Sequence, residues 1–237
     1  MRVPTADVNG ITMYYEVHGD GPPLVLVLGL ATDVSEMGGL IGGLAERYRV
    51  LAFDNRGVGR TDKPDSPYSV ETMADDTVGL MRAAGFQRAH VMGISLGGRI
   101  AMELTLRHPD MVARLALVST AARVVRNTRR RMTMGVLARW APSRGAHPQP
   151  RYAFDHQLAA SGAWDGTDRL ADIRVPTVIL HGRHDRIAPY QRAEELHDGI
   201  PGSTLIPFRS GHSFPLMSEQ RRFLDELTAF LGVDAIT

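Results

Sequence analysis

The chain alternates short apolar runs with longer segments whose apolar residues recur at helical spacing. Two β-type runs open it, residues 5–8 and 11–17, and the dipeptide Asn9-Gly10 between them is a strong hairpin signal. Six further short apolar runs end near turn-forming residues: 24–28, 50–53, 90–94, 115–119, 177–181 and 204–207. The segments 70–84 and 96–107 carry the 3.6-residue spacing of amphipathic helices.

This alternation predicts an α/β fold. Strands that are buried on both faces are continuously apolar, as these runs are, because helices cover both sides of a parallel sheet. We therefore expect a mostly parallel, doubly wound central sheet with flanking helices, and 237 residues suit a single domain. Ligands of such sheets bind beyond the carboxyl ends of the strands, so the loops that follow the runs are where chemistry is expected.

The run 90–94 leads into the pentapeptide Gly93-Ile94-Ser95-Leu96-Gly97, which has the form of a nucleophile elbow. In such a turn a serine sits at a sharp strand-to-helix junction, and the flanking glycines allow neighbouring backbone to approach closely. A plain glycine-rich turn is the alternative. The elbow interpretation makes Ser95 the candidate nucleophile.

Two later loops supply the partners that a nucleophilic serine needs. Asp185 follows the run 177–181 and is the candidate acid, whereas His212 follows the run 204–207 and is the candidate base. The order Ser, Asp, His is the chain order expected with this elbow. The alternatives are a turn-capping Asp185 ahead of a helix that starts at Ala188-Pro189, and a loop histidine satisfied by backbone.

Serine is a weak nucleophile, so the chemistry needs a base, a carboxylate that orients the base, and donors for the oxyanion. The backbone N–H of Leu96 follows the nucleophile at a helix start, and the N–H of Leu30 lies in the loop after residues 24–28. We expect these two as the oxyanion hole. His181 and His184 beside Asp185 raise the alternative of a metal site, but no further ligand cluster is evident, and no metal is expected.

With these motifs the chain resembles the α/β-hydrolase superfamily over nearly its whole length. Its segment 54–64, DNRGVGRTDKP, is similar to the family's D-x-R-G-x-G-x-S-D-x-P loop, and Val175-Pro176 precedes a late strand as is common there. The branch resembled contains enol-lactonases, carboxylesterases and cofactor-free, haloperoxidase-like perhydrolases. One departure is Leu28-Gly29, where the family usually has His-Gly.

The resemblance implies a hydrolase core of residues 1–120 and 175–237 with a short helical cap, residues 121–174. The cap sequence has four arginines followed by apolar residues that suit an amphipathic helix over the site: Arg126, Arg129, Arg130, Arg131, Met132, Met134, Val136, Leu137 and Trp140. A solvated basic face is the plainer interpretation, and contact with an anionic substrate group is the alternative. The candidate pocket residues are Leu30, Trp140, Ile187, Phe214 and Met217.

The composition limits the classes of partner that this protein is expected to bind. A formal net charge of +1 argues against nucleic acid or an anionic membrane, which select for a basic excess, and leaves a small-molecule substrate. The chain has no cysteine and no apolar run long enough to span a bilayer, so a cytoplasmic location is expected, although the lack of cysteine is also compatible with secretion. The oligomeric state is left open.

The sequence thus predicts a cofactor-free serine hydrolase that cleaves a carboxylic ester or lactone of a small, mostly apolar molecule. Ser95 at the elbow argues against epoxide hydrolase and haloalkane dehalogenase chemistry, because the members of this fold with those activities transfer an alkyl group to an aspartate nucleophile. Two alternatives stay open: a biosynthetic lactonase, cyclase or thioesterase-like enzyme with the same triad, and a small-molecule receptor with little turnover.

Overall fold

Eight strands form one sheet in the order β1-β2-β4-β3-β5-β6-β7-β8. The computed structural model describes residues 4–124, 146–213, 215, 219–234 and 236. The strands are β1 Thr5–Val8, β2 Ile11–His18, β3 Pro23–Val27, β4 Arg49–Phe53, β5 Ala89–Ile94, β6 Val112–Val118, β7 Thr177–Gly182 and β8 Thr204–Phe208. All neighbours from β4 to β8 run parallel, and β1 and β2 pair antiparallel at the edge. The predicted mostly parallel sheet is confirmed.

The antiparallel edge begins with the hairpin expected at Asn9-Gly10. Val8 pairs with Ile11 across this two-residue turn, and both turn residues have positive φ, 48° at Asn9 and 77° at Gly10. Asparagine and glycine are the residues that tolerate this conformation best, which is why the dipeptide is a reliable signal.

Helices cover both faces of the sheet. They are α1 Gly38–Ala45, α2 Val70–Ala83, α3 Leu96–Arg107, α4 Arg151–Ala163, α5 Gln191–Gly199 and α6 Gln220–Leu231. Alternate residues of each strand face opposite cores: Val25 and Val27 of β3 pack in the core that contains α2, α3 and α5, whereas Leu24 and Leu26 pack in the core that contains α1 and α6. Burial on both faces explains the unbroken apolar runs.

Most strand boundaries lie within one residue of the sequence pattern, and the larger differences are at β6 and at the helix after β7. Strand β6 begins at Val112, before the apolar run that starts at Leu115, because Arg114 interrupts the run while its guanidinium donates to the Phe230 carbonyl. The helix expected at Ala188-Pro189 begins instead at Gln191.

The chain between β6 and β7 contributes α4 and a 3₁₀ helix, Thr167–Asp172. Trp164 ends α4, is buried, and donates its indole N–H to Glu103 of α3. The arginine-rich part of the expected cap helix, residues 126–140, lies outside the described residues. Among the helices that the structure describes, none is long and apolar enough to cross a membrane.

His90 is a titratable group in the core, near the start of β5. It is 3% exposed, and its Nδ1 has no hydrogen-bond partner within the described parts of the chain. Burial, together with the positive charges of Arg114 and Arg88, lowers the pKa of His90 from 6.5 to about 4. The imidazole is therefore neutral in the folded protein at neutral pH.

We predict that His90 makes the protein less stable as the pH falls from about 6.5 to about 4. In this window the unfolded chain binds a proton that the folded chain excludes, which costs up to about 3 kcal/mol. Urea unfolding across this range should show a steeper loss of stability for the native protein than for His90→Leu. Parallel stability curves for the two proteins would contradict the assignment.

Candidate active site

Ser95 lies at a strained turn between β5 and α3. Its backbone has φ 56° and ψ −114°, a conformation that costs a non-glycine residue energy and that persists only where surrounding contacts impose it. Two contacts from the neighbouring β6 region do so: Ser95 N–H donates to the Val118 carbonyl at 2.9 Å, and the Thr120 hydroxyl donates to the Ser95 carbonyl at 2.6 Å.

The two flanking glycines are required by close backbone approach. A Cβ at Gly93 would lie 2.3 Å from the carbonyl oxygen of Gly97, and a Cβ at Gly97 would lie 2.1 Å from the carbonyl oxygen of Val27. Both distances are far inside van der Waals contact, so an alanine at either position would displace backbone. The elbow therefore packs directly against the end of β3.

Ser95, His212 and Asp185 form one chain of contacts. His212 Nδ1 lies 2.7 Å from Asp185 Oδ2, and His212 Nε2 lies 3.1 Å from Ser95 Oγ. Because a carboxylate can only accept, the imidazole donates through Nδ1, which leaves Nε2 to accept the serine hydroxyl. This is the tautomer that a base acting on Ser95 needs.

Asp185 uses its two carboxylate oxygens for different tasks. Oδ1 accepts the N–H groups of Ile187 and Ala188 at 2.8 and 2.9 Å, and so fixes the turn after β7. Oδ2 faces His212. One oxygen of Asp185 thus serves the turn, and the other is available to orient His212.

His181, fully buried on β7, also faces this carboxylate. Its Nε2 donates to the Ala188 carbonyl at 2.8 Å and lies 3.4 Å from Asp185 Oδ2. Burial alone raises the pKa of Asp185, but the imidazoles of His181 and His212 and the Ala188 N–H outweigh it and hold that pKa well below its ordinary value. Asp185 is therefore an anion throughout the neutral and mildly acidic range.

The loop after β3 approaches the serine from the other side. Leu30 and Leu96, the two expected oxyanion donors, both border the cavity into which Ser95 opens. Leu96 is the first residue of α3, where a backbone N–H has no intrahelical acceptor. The Asn55 side chain fixes the start of the loop by donating to the Leu28 carbonyl at 2.9 Å.

The cavity beside Ser95 has a volume of about 210 Å³. Its described lining comes from the loop and 3₁₀ turn after β3, from the end of β5 and the start of α3, from the loop after β6, from α4, and from the loops that carry Asp185 and His212. Within the parts of the chain that are described, no group of three His, Asp or Glu side chains could hold a metal ion.

Sequence comparison agrees with this geometry. A family model described as alpha/beta hydrolase fold matches residues 22–147, more than half of the chain. The chain belongs to the α/β-hydrolase superfamily. A second family model, described as Serine hydrolase (FSH1), matches residues 91–224, a range that holds Ser95, Asp185 and His212.

Several relatives match this hydrolase over most of their length. The protein named "Putative carbamate hydrolase RutD" from Azorhizobium caulinodans is 29% identical, covering 97% of this chain and 98% of the relative. The AB hydrolase superfamily protein YisY from Bacillus subtilis is 30% identical over 85% of this chain and 89% of its own. The enol-lactonase structure from Burkholderia xenovorans LB400 superposes with a TM-score of 0.84 at 27% identity, covering 96% and 99% of the two chains.

The pocket of this hydrolase contains some of the expected residues. Leu30 and Ile187 line the cavity, whereas Trp140, Phe214 and Met217 lie outside the described residues. No motif or spacing in the sequence pointed to the other lining side chains, which include Met37, Ile94, Arg99, Phe154 and Leu158. Phe154 and Leu158 lie on α4, whose weakly amphipathic sequence carries no catalytic motif.

Several supporting residues were also missed by sequence reasoning. The buried Ser119 follows β6 with φ 47°, and its hydroxyl donates to the main-chain carbonyl of His212 at 2.9 Å. Arg99, one turn into α3, donates to the Ala121 carbonyl at 3.1 Å and to the Ser161 hydroxyl at 2.5 Å, joining the core to α4. A hydroxyl that follows a strand is the only available signal for Ser119, and that signal is weak.

The two tasks of Asp185 should separate in stability measurements. Asp185→Asn keeps an oxygen that can accept the Ile187 and Ala188 N–H groups, whereas Asp185→Ala leaves both without this acceptor. At neutral pH we expect Asp185→Ala to be less stable than Asp185→Asn by about 1 kcal/mol in urea unfolding, a value typical of lost side-chain caps.

The stability difference between the native protein and Asp185→Ala should also depend on pH. A carboxylate whose pKa is lowered by folding stabilises fully above its unfolded pKa of about 3.9 and loses that effect as the pH falls further. Equal stability of the two variants, or a difference from the native protein that is unchanged at acid pH, would contradict the described contacts of Asp185.

Proposed function

We propose that this hydrolase cleaves a carboxylic ester or lactone of a small, mostly apolar molecule through an acyl-enzyme on Ser95. The observation that carries the proposal is the continuous contact from Ser95 Oγ through His212 to Asp185, at 3.1 and 2.7 Å, beside a cavity. This arrangement supplies a nucleophile, a base in the required tautomer, and an anion that stabilises the base when it is protonated.

The proposed reaction begins when Ser95 Oγ attacks the substrate carbonyl carbon and His212 Nε2 takes the hydroxyl proton. The tetrahedral oxyanion is held by the backbone N–H groups of Leu30 and Leu96, near the positive end of α3. Collapse breaks the bond to the leaving oxygen, which takes the proton from His212. Water then attacks the acyl group with the same base, and the free acid leaves as the Ser95 hydroxyl is restored.

The cavity supports a small and mostly apolar substrate. Aliphatic and aromatic side chains form much of its lining, and the acidic and basic side chains of its described lining, apart from the His212 imidazole, are Glu36 and Arg99. The similarity to an enol-lactonase supports lactone cleavage, while the relative named as a carbamate hydrolase makes carbamates a useful comparison substrate. No cofactor takes part in the proposed steps.

Two other roles use the same site. A biosynthetic lactonase, cyclase or thioesterase-like enzyme would employ the same three residues on one specific intermediate. A small-molecule receptor would bind its ligand in the cavity with little turnover. The contacts around Ser95 favour turnover, because a strained serine with a correctly oriented imidazole is not needed for binding alone.

We predict that Ser95→Ala loses turnover of short-chain p-nitrophenyl esters. Removal of a triad nucleophile costs on the order of 10⁶ in kcat in well-studied serine hydrolases, so the residual rate should approach background. Release of p-nitrophenol by the purified protein measures the rate of turnover. Labelling with a fluorophosphonate measures whether a covalent adduct forms on Ser95. Ser203→Ala is the matched control, since Ser203 directly precedes β8, away from the carboxyl edge of the sheet.

Equal turnover by the native protein and Ser95→Ala would overturn the mechanism. If the native protein is inactive on esters, lactones, carbamates and thioesters but binds one of them tightly, the receptor role is supported instead. A screen across acyl-chain length, lactones and thioesters with the native protein identifies the substrate class.

We predict that Asp185→Asn lowers kcat by about 10⁴ while the protein stays folded, the order of loss found when a triad carboxylate becomes an amide. Its amide can donate to His212 Nδ1, and the tautomer that results has a proton on Nε2 and cannot accept one from Ser95. Steady-state kinetics and near-UV circular dichroism test both halves of this expectation. Near-normal kcat would place the acid elsewhere.

A further inference from the structure

Gln157 is a fully buried polar side chain on α4, outside the triad. Its Oε1 accepts the backbone N–H of Ala31 at 3.2 Å and the Nε2 of Gln149 at 3.2 Å. Its Nε2 donates to the Arg56 carbonyl at 2.9 Å. One amide therefore joins three segments that are distant in sequence: the loop after β3, the loop after β4, and the chain that leads into α4.

The contact with Ala31 matters because Ala31 directly follows Leu30. Ala31 has φ 54°, a left-handed conformation that costs an alanine energy and that needs outside contacts to persist. Within the loop, Thr32 N–H donates to the Gly29 carbonyl at 3.4 Å and the Thr32 hydroxyl donates to the Leu30 carbonyl at 3.3 Å, both near the upper limit for hydrogen bonds. Gln157 therefore gives this end of the loop a buried contact from outside.

The opposite end of the loop is fixed from the core. Asn55 donates to the Leu28 carbonyl at 2.9 Å, so the two residues that flank Gly29 and Leu30 are each bonded to a buried side-chain amide. The loop is thus fixed from two directions, by the β4 loop before Leu30 and by α4 after it. The peptide groups between these points determine where the Leu30 N–H is directed.

Gln157 is itself rigidly placed. Its donor bonds to the carbonyl of Arg56, and the Arg56 guanidinium forms two bonds with Asp76 of α2, at 2.7 and 2.8 Å. Both side chains of this ion pair are almost entirely buried. Because the Arg56 carbonyl holds the Nε2 of Gln157 in place, the Oε1 of the same amide can hold the Ala31 N–H in place.

We propose that Gln157 is a positioning residue for the oxyanion hole: from α4, it holds the Leu30–Ala31 peptide so that the Leu30 N–H meets the developing oxyanion. The proposal rests on the proposed function, because it needs an oxyanion at Ser95. Gln157 touches no substrate in this role. A purely structural role, in which Gln157 only attaches α4 to the core, is the competing explanation.

The two explanations differ in the step that they affect. Loss of one oxyanion donor typically costs 10² to 10³ in kcat, so misplacing Leu30 should cost about 10- to 100-fold. Ground-state binding of the substrate does not use this donor fully, so KM should change by less than about 3-fold. An attachment role would instead lower stability or change KM.

The test uses Gln157→Met, which keeps the length of the side chain and removes both its strong acceptor and its donor. Gln149→Met is the matched control, because among the described residues it removes the bond between the two glutamines and leaves Ala31 N–H paired with Gln157. We expect kcat to fall about 10- to 100-fold in Gln157→Met and to stay within about 3-fold in Gln149→Met. If Gln157→Met does not fold, Gln157→Asn is used, since its shorter side chain cannot reach Ala31 and Arg56 together.

A trifluoromethyl ketone provides the second measurement. It adds to the Ser95 hydroxyl as a hemiketal whose oxyanion occupies the proposed hole, so its Ki reports the donors directly. We expect Ki for this inhibitor to rise in parallel with the loss of kcat. Unchanged kcat and Ki, or a change in KM and stability with Ki unchanged, would overturn the proposal.

The kinetics of the Ser95 and Gln157 variants distinguish a failure of the Gln157 role from a failure of the acyl-enzyme mechanism. If Ser95→Ala retains native turnover, the acyl-enzyme mechanism fails, whatever the Gln157 variants do. If turnover requires Ser95 but Gln157→Met matches the native kcat and Ki, only the role of Gln157 fails.

Discussion

The strained turn at Ser95 is the constraint on which the rest of the site depends. A residue at positive φ between a strand and a helix raises its side chain above the sheet, and it needs neighbouring backbone to hold it there. Gly93 and Gly97 permit this packing, because a Cβ at either position would lie within 2.3 Å of a carbonyl oxygen. The end of β3, the elbow and the loop after β6 therefore form one closely packed unit, and a shift in any of them moves the proposed nucleophile.

The partner loops are held in place by side-chain contacts on both sides of the Asp185 carboxylate. Asp185 assigns one oxygen to its own turn and the other to His212, while Ser119 holds the main chain of His212. His181 adds a second imidazole on the side of Asp185 away from solvent. The buried carboxylate is thereby kept charged, which is what the proposed base requires when it carries a proton.

Sequence reasoning predicted the fold and the central contacts because both rest on local signals. Apolar runs indicate strands buried on both faces, and Asn9-Gly10 indicates a turn with positive φ. The elbow implies the chain order Ser, Asp, His, which limits the candidate acid and base to the loops after the later strands. Gln157 and Arg99 give no such signal. Each acts through a partner more than twenty residues away, and their neighbours in sequence resemble ordinary helix.

The loop after β4 shows how a recognisable motif can have a function that the sequence does not reveal. Its similarity to a family pattern contributed to the resemblance, but its physical role is visible only in the contacts. Asn55 holds the start of the loop that carries Leu30, and the Arg56 carbonyl holds Gln157, which bonds the end of that loop. Core and α4 thus meet at the proposed oxyanion donor. Phe154 and Leu158 line the pocket from the same helix that carries Gln157. If Gln157 has the proposed role, a shift of α4 that reshapes the pocket would also move the amide that holds Ala31, and substrate preference would be linked to transition-state stabilisation.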